Sequence, residues 1–267
     1  MISIELISKG ETTLRNTLDS IVGQNFGDYE LICADSSGDQ QTEDILKSYD
    51  CKFIRLPSDT GHLSARYEAH KRSKGEMSLM LDSTRPLRGD ALRILYEDYR
   101  RYDMVIIRED SIGEGYWYEQ AKLLKITSEA QFERIKEKSV AFLLPRFYNS
   151  SLLTRSFLKI VKDTGDLFSR ISYGEHHLIF ETCLGISKNV ALTEDALVYH
   201  YEDTSIRKIL AKYYRYGRDQ KIFKLLRTSE VSKFGPHHRE GIGVTDRIKL
   251  LPITVARGVP FILGYIF

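Results

Sequence analysis

The 267-residue sequence has no uninterrupted apolar run of about 20 residues, the length a helix needs to cross a bilayer, so an ordinary spanning segment is excluded. Cysteine is scarce. Cys33, Cys51 and Cys183 are far apart and odd in number, which encodes neither a disulfide framework nor a metal-ligand spacing. A reducing cytoplasm is the expected setting. Only six prolines, no repeat and no low-complexity linker interrupt a chain that is 42% hydrophobic, so disorder is excluded and one principal core is expected. Excess charge is missing too: 39 basic against 37 acidic residues leave +2, and nucleic acid is not an expected partner. The opening MISIELIS lacks the basic-then-apolar layout of a signal peptide, which predicts no secretion.

What is present is an alternation of strand-like and helix-like segments, the pattern of a parallel sheet covered by helices. Strands are predicted at 2–7, 29–34, 52–56, 77–81 and 104–107, with helices at 12–24, 42–49, 63–73 and 89–99 between them. In open sheets of this kind, ligands lie beyond the carboxyl ends of the strands. The polar residues there are Ser8, Asp35, Asp39, Asp59 and Asp82. Four of these five are acidic, which suits the ribose, base edge and metal ion of a nucleotide better than bare phosphate. The second half is less regular, with an aromatic segment at 112–122 and a charged helical run at 128–138, and is expected to complete an acceptor side.

Residues 205–227 carry eight basic side chains against Asp219, interleaved with Ile206, Leu210, Tyr213, Tyr214 and Phe223. This is a basic amphipathic helix. The stretch 250–267 is apolar apart from Thr254 and Arg257, and Pro252 and Pro260 argue against its spanning a membrane. Together they suit an acceptor bearing phosphate and lipid, or a peripheral seat on an anionic membrane.

The order of motifs over residues 1–225 resembles the family 2 glycosyltransferases of the GT-A fold. Leu14-Arg15-Asn16-Thr17-Leu18-Asp19-Ser20-Ile21 matches their first helix, and Tyr29-Glu30-Leu31-Ile32-Cys33-Ala34-Asp35-Ser36-Ser37-Gly38-Asp39 matches the strand and turn that follow. Gly61 to Arg66 with Ala69 and Gly75-Glu76 resembles G-x-x-x-A-R-N-x-G-x-x-x-A-x-G-E, with Tyr67 in place of asparagine. Leu79-Met80-Leu81-Asp82 approaches the D-x-D motif, but Thr84 stands at its third position. Gly174-Glu175-His176-His177-Leu178 resembles G-E-D-x-x-L with histidine for aspartate. Ala196 to His200 resembles A-x-V-x-H, and Tyr213 to Arg218 includes the run Y-R-Y-G-R.

The resemblance implies a GT-A domain over 1–225, with a nucleotide-binding half at about 1–110, an acceptor half at about 111–225 and an extension over 226–267. It implies inverting transfer from a nucleoside diphosphate sugar to a glycan or lipid-linked acceptor, at a cytoplasmic membrane face. Glu175 and His176 are then rivals for the catalytic base. Ser8, Asp35, Asp59, Arg66 and Asp82 would bind the donor nucleotide. Asp82 and His200 would hold a magnesium or manganese ion, weakly given Thr84, so that either its binding relies on the nucleotide itself or Arg85, Arg66 or the later basic helix stabilises the leaving group. Tyr213, Arg215 and Arg218 would meet the acceptor or its phosphate. The rival reading is a non-catalytic nucleotide- or glycan-binding member of the same fold.

Overall fold

A computed structural model describes residues 1–134, 144–225 and 243–267. The predicted run at 128–138 and the basic helix at 205–227 therefore fall partly outside the described residues. The chain divides into two compact units, Met1–Asp110 with Pro145–His200, and Ser111–Leu144 with Tyr201–Phe267.

The first unit is built on strands β1 (Ile2–Ser8), β2 (Tyr29–Asp35), β3 (Lys52–Arg55), β4 (Met77–Asp82), β5 (Met104–Ile112), β6 (Pro145–Asn149) and β7 (Val190–Tyr201). They form one sheet in the order β3-β2-β1-β4-β6-β5-β7. The connecting helices are α1 (Leu14–Val22), α2 (Gln40–Lys47), α3 (His62–His70), α4 (Ala91–Ile94), α6 (Ser150–Thr164) and α7 (Glu175–Leu184). The second unit holds α5 (Tyr116–Arg134), α8 (Ile206–Leu225), α9 (Val244–Lys249) and α10 (Leu251–Ile266).

Every residue of β1 is buried, as expected of a strand covered on both faces. Its polar members need partners: Glu5 bonds His70 Nδ1 at 2.8 Å, and Ser3 Oγ donates to Glu30. α1 buries Leu14, Thr17, Leu18 and Ile21, one face of a 3.6-residue repeat, against this sheet. α2 begins where Asp39 accepts from Thr42 N at 2.9 Å, an N-cap that gives this motif residue a structural task. The predicted helix at 89–99 is present as α4 running into a π-helical turn, Leu95–Tyr99.

β1 to β4 are mutually parallel, whereas β6 is antiparallel to both β4 and β5. β6 thus begins at the carboxyl edge of β4. Its register with β5 steps from Phe147 opposite Val105 to Pro145 opposite Ile106, which leaves Arg146 as the extra residue of a β-bulge. Bulges bend a strand and re-aim a side chain. Here the side chain is Arg146, buried among the acids at the sheet edge.

In the second unit, Ile209, Leu250, Ile253 and Ala256 form a small core flanked by Trp117, Leu123, Leu124, Ile206 and Tyr213. Backbone contact between α8 and α10 depends on two glycines. A Cβ on Gly217 would lie 2.0 Å from Phe261 O, and one on Gly264 2.0 Å from Tyr214 O. α10 buries Ile253, Ala256, Pro260 and Gly264 on that face. The opposite face exposes Leu251, Val255, Val259, Ile262 and Ile266, and Ile248 of α9 extends the stripe. Among the described residues no helix is long and apolar enough to cross a membrane.

Candidate active site

The carboxyl edge of the parallel strands sets the first group of predicted residues side by side. Ser8 lies opposite Asp35 in the β1–β2 register, and Asp82 lies opposite Ile7 on the other flank of β1. Asp35 is 1% exposed. Its Oδ2 accepts from Ser37 Oγ at 2.7 Å, but Oδ1 and the neighbouring Ser36 Oγ are buried with no hydrogen-bond partner among the described residues. Burial pushes the Asp35 carboxyl above its ordinary value, against the opposing pull of Ser37 and the Ser8 hydroxyl. An acceptor left unsatisfied in this way is costly unless a ligand supplies a donor. Asp59 is exposed in the turn after β3.

The second group gathers on Arg66. α3 is tied to the segment before α7 by Gly61 N to Ser169 O at 2.8 Å and Leu63 N to Ile171 O at 3.0 Å. Gly174, at φ 78°, takes a left-handed conformation costly for any residue with a Cβ, and α7 begins immediately with Glu175 and His176. Arg66, on the second turn of α3, therefore faces both. Its Nη2 lies 2.7 Å from His176 Nε2 and 3.4 Å from Glu175 Oε1, and also donates to Asp82. Arg66 is 1% exposed.

Two further arginines close on the same carboxylate. Arg85 Nη1 donates to Asp82, and Arg146 Nη1 lies 3.4 Å from it. Both also reach Glu109 of β5, Arg85 Nε at 3.0 Å and Arg146 Nε at 2.7 Å. Asp82, Arg85, Glu109 and Arg146 thus form a closed ring with Arg66 behind it. Burial would raise the Asp82 carboxyl, but Arg66, Arg85 and Arg146 hold it well below the usual range. Burial, and next the charges of Arg66 and Arg146, drive His176 far below the ordinary imidazole value.

The tautomer of His176 follows. Guanidinium groups only donate, and Arg66 Nη2 and Arg146 Nη1, at 2.7 and 3.3 Å, both face Nε2, so Nε2 is the acceptor and the proton sits on Nδ1. That Nδ1 and Arg66 Nη1 are buried without partners among the described residues.

Sequence reasoning missed Arg146 and Glu109. A lone arginine between Pro145 and Phe147, in an otherwise apolar stretch, was the available signal. Glu109 carries none, because it lies in the part of β5 beyond the apolar run. His200 is half-buried at the end of β7. Tyr213, Arg215 and Arg218 lie on α8 in the second unit, the two arginines exposed and Tyr213 half-buried beneath the Arg257 guanidinium at 5.3 Å.

A divalent cation needs hard oxygen ligands not already neutralised. The Asp82 carboxylate is shared among three guanidinium groups, the next motif position is Thr84, and the described residues contain no group of three His, Cys, Asp or Glu side chains able to hold a metal. In this arrangement the donor set does not fit such an ion.

A parallel sheet with an antiparallel strand inserted beside β4, and polar residues converging at its carboxyl edge, defines a GT-A-type fold. The family model for glycosyl transferase family 2 matches residues 6–156, more than half of the sequence, and the chain belongs to that family. No curated protein matches it by sequence. Among solved structures it is similar to S. aureus TarS, at 17% identity and a TM-score of 0.57, over 98% of this chain and 49% of TarS. The chain therefore spans about half the length of that relative. TarS 1-349 in complex with UDP is 16% identical with a TM-score of 0.55, over 99% of this chain and 88% of that one. The complex of TarS 1-349 with UDP-GlcNAc is 15% identical with a TM-score of 0.53, over 99% and 81%. These likenesses extend to the fold.

Proposed function

We propose that the protein is an inverting glycosyltransferase that uses a nucleoside diphosphate sugar, with Ser8, Asp35 and Asp82 along the donor nucleotide. The observation that carries this reading is the buried, unsatisfied Asp35 Oδ1 beside Ser36 Oγ at the carboxyl edge of β2, in register with Ser8. A base N–H or ribose hydroxyl satisfies that carboxylate where protein groups do not. UDP is the first nucleotide to test, because TarS binds it on a similar fold.

In the reaction a base takes the acceptor hydroxyl proton, the oxygen attacks the sugar carbon, and the bond to the diphosphate breaks on the opposite face. Of the two candidates, Glu175 takes this role. The acceptor nitrogen of His176 already faces two guanidinium groups. The second unit supports a lipid-linked acceptor at an anionic, cytoplasmic membrane face: α10 presents an apolar stripe, and α8 exposes Arg207, Lys208, Arg215 and Arg218.

The test is calorimetric titration of UDP and GDP into the wild type and Asp35→Ala, followed by donor-sugar turnover. One nucleotide should bind the wild type, and Asp35→Ala should weaken it about tenfold or more, the worth of a hydrogen bond to a charged group. Equal binding by both proteins removes Asp35 from the site. A non-catalytic member of the family is the second reading, favoured by Thr84 and the engaged His176; nucleotide binding with no donor turnover would select it.

A further inference from the structure

We propose that Arg66, Arg85 and Arg146 do for the donor diphosphate what a divalent cation does elsewhere, so that this protein binds its nucleotide without metal; the proposal rests on the transferase reading above.

Three observations converge. The carboxylate that would hold an ion is occupied by three cationic side chains, and no second carboxylate stands at Thr84. Two buried polar atoms of this cluster have no partner among the described residues, Arg66 Nη1 and His176 Nδ1, and both are N–H donors. Unpaired donors call for an acceptor, and a phosphate oxygen is one that takes charge-assisted hydrogen bonds from guanidinium groups. A metal would have to displace guanidinium groups from the carboxylate placed to bind it. The third observation is the gradient of access: Arg66 is 1% exposed, Arg146 9% and Arg85 15%, with Asp82 at 23%. The ring opens toward solvent on the Arg85 and Asp82 side, and Arg66 forms its floor.

The guanidinium charges are also prepared for exchange. Arg85 and Arg146 are each shared between Asp82 and Glu109. A diphosphate arriving at the open side replaces one carboxylate partner of each arginine without leaving either charge unpaired. Arg66 remains on Asp82 and Glu175 and holds the ring in place.

The experiment is titration of UDP and GDP into the full chain in EDTA, and again in magnesium or manganese, with Arg85→Gln and Arg85→Lys alongside. Binding by the wild type should survive the chelator with an unchanged dissociation constant. Arg85→Gln should weaken it about ten- to hundredfold, the range for losing a charge-assisted hydrogen bond, and Arg85→Lys should fall between the two. Binding that requires the added ion overturns the proposal and leaves the transferase reading intact. Binding that ignores the ion but is unaffected by Arg85→Gln overturns it as well. Absence of binding in both buffers overturns the proposal and the transferase reading together. The chelator comparison uses the wild-type chain alone, so it can overturn the proposal even where a variant fails to fold.

Discussion

Replacing His176 by glutamine should remove one well-defined part of the protein's pH-dependent stability. In the folded chain the imidazole is held neutral by burial and by Arg66, Arg146 and Arg85, against the opposite pull of Asp82; Glu175 Oε1 is 3.8 Å away. In the unfolded chain it titrates near 6.5. Above that value neither state binds the proton, and His176 adds no slope. Below it the unfolded state takes up a proton that the folded state refuses, so stability falls with falling pH until the depressed folded value is reached. Within that window the loss approaches about 1.4 kcal/mol per pH unit, the worth of one proton. Glutamine offers an oxygen to the two guanidinium groups and an amide N–H in place of Nδ1–H, yet does not titrate. Urea unfolding of both proteins from pH 8 to pH 5 gives the difference directly, and the other histidines, common to both, cancel. The wild-type minus variant difference should be flat above pH 7 and slope downward with acid below about 6.5. Parallel curves through that range would show that His176 takes up a proton in the folded state, and the neutral, Nδ1-protonated imidazole would be wrong.

Two further outcomes concern the second unit. Gly264→Leu places a Cβ 2.0 Å from Tyr214 O, where backbone must move. It should cost about 3 kcal/mol, the upper part of the range for overpacking, read as a lower denaturation midpoint, while UDP affinity, set in the first unit, stays unchanged. Full-length protein should float with vesicles containing anionic lipid and be released by salt, and a chain truncated after residue 247 should not. Unchanged flotation of the truncated protein would remove α10 from the membrane seat.

The parallel part of the sheet was readable because its strands are covered on both faces and carry apolar runs without a helical repeat. β1, β2 and β4 end at Ser8, Asp35 and Asp82, the residues the pattern indicated. β6 was not readable. It is five residues long, contains a proline and an arginine, and gains its place only by pairing with β4 and β5 far away in the chain. Local pattern carries no such information. The ring around Asp82 was hidden for the same reason, since its members come from β4, the turn after it, β5 and β6 and share no spacing. The two prolines near the chain's end argue against a spanning helix, and among the described residues there is none, yet they do not prevent a helix there. Pro252 occupies the first turn of α10, where its missing N–H costs nothing, and Pro260 is accommodated inside the helix on its buried face.

The departure at the D-x-D motif and the bulge at Arg146 are two halves of one electrostatic arrangement. With aspartate at position 84, a second carboxylate would lie beside Asp82 and a cation would relieve their repulsion. Threonine removes that charge, and Asp82 alone cannot balance the guanidinium groups around it. Glu109 and Glu175 supply the missing negative charges, so Arg66, Arg85 and Arg146 face three carboxylates. Buried charge is tolerated only when paired, and among the described residues each of these arginines has a carboxylate partner. Arg146 enters the count only because the register slip in β6 turns an extra residue into the site. A bulge that served the sheet alone would do as well with an apolar side chain. That it carries an arginine, buried and bonded to both Asp82 and Glu109, ties the geometry of the strand to the charge arrangement at the carboxyl edge of the sheet.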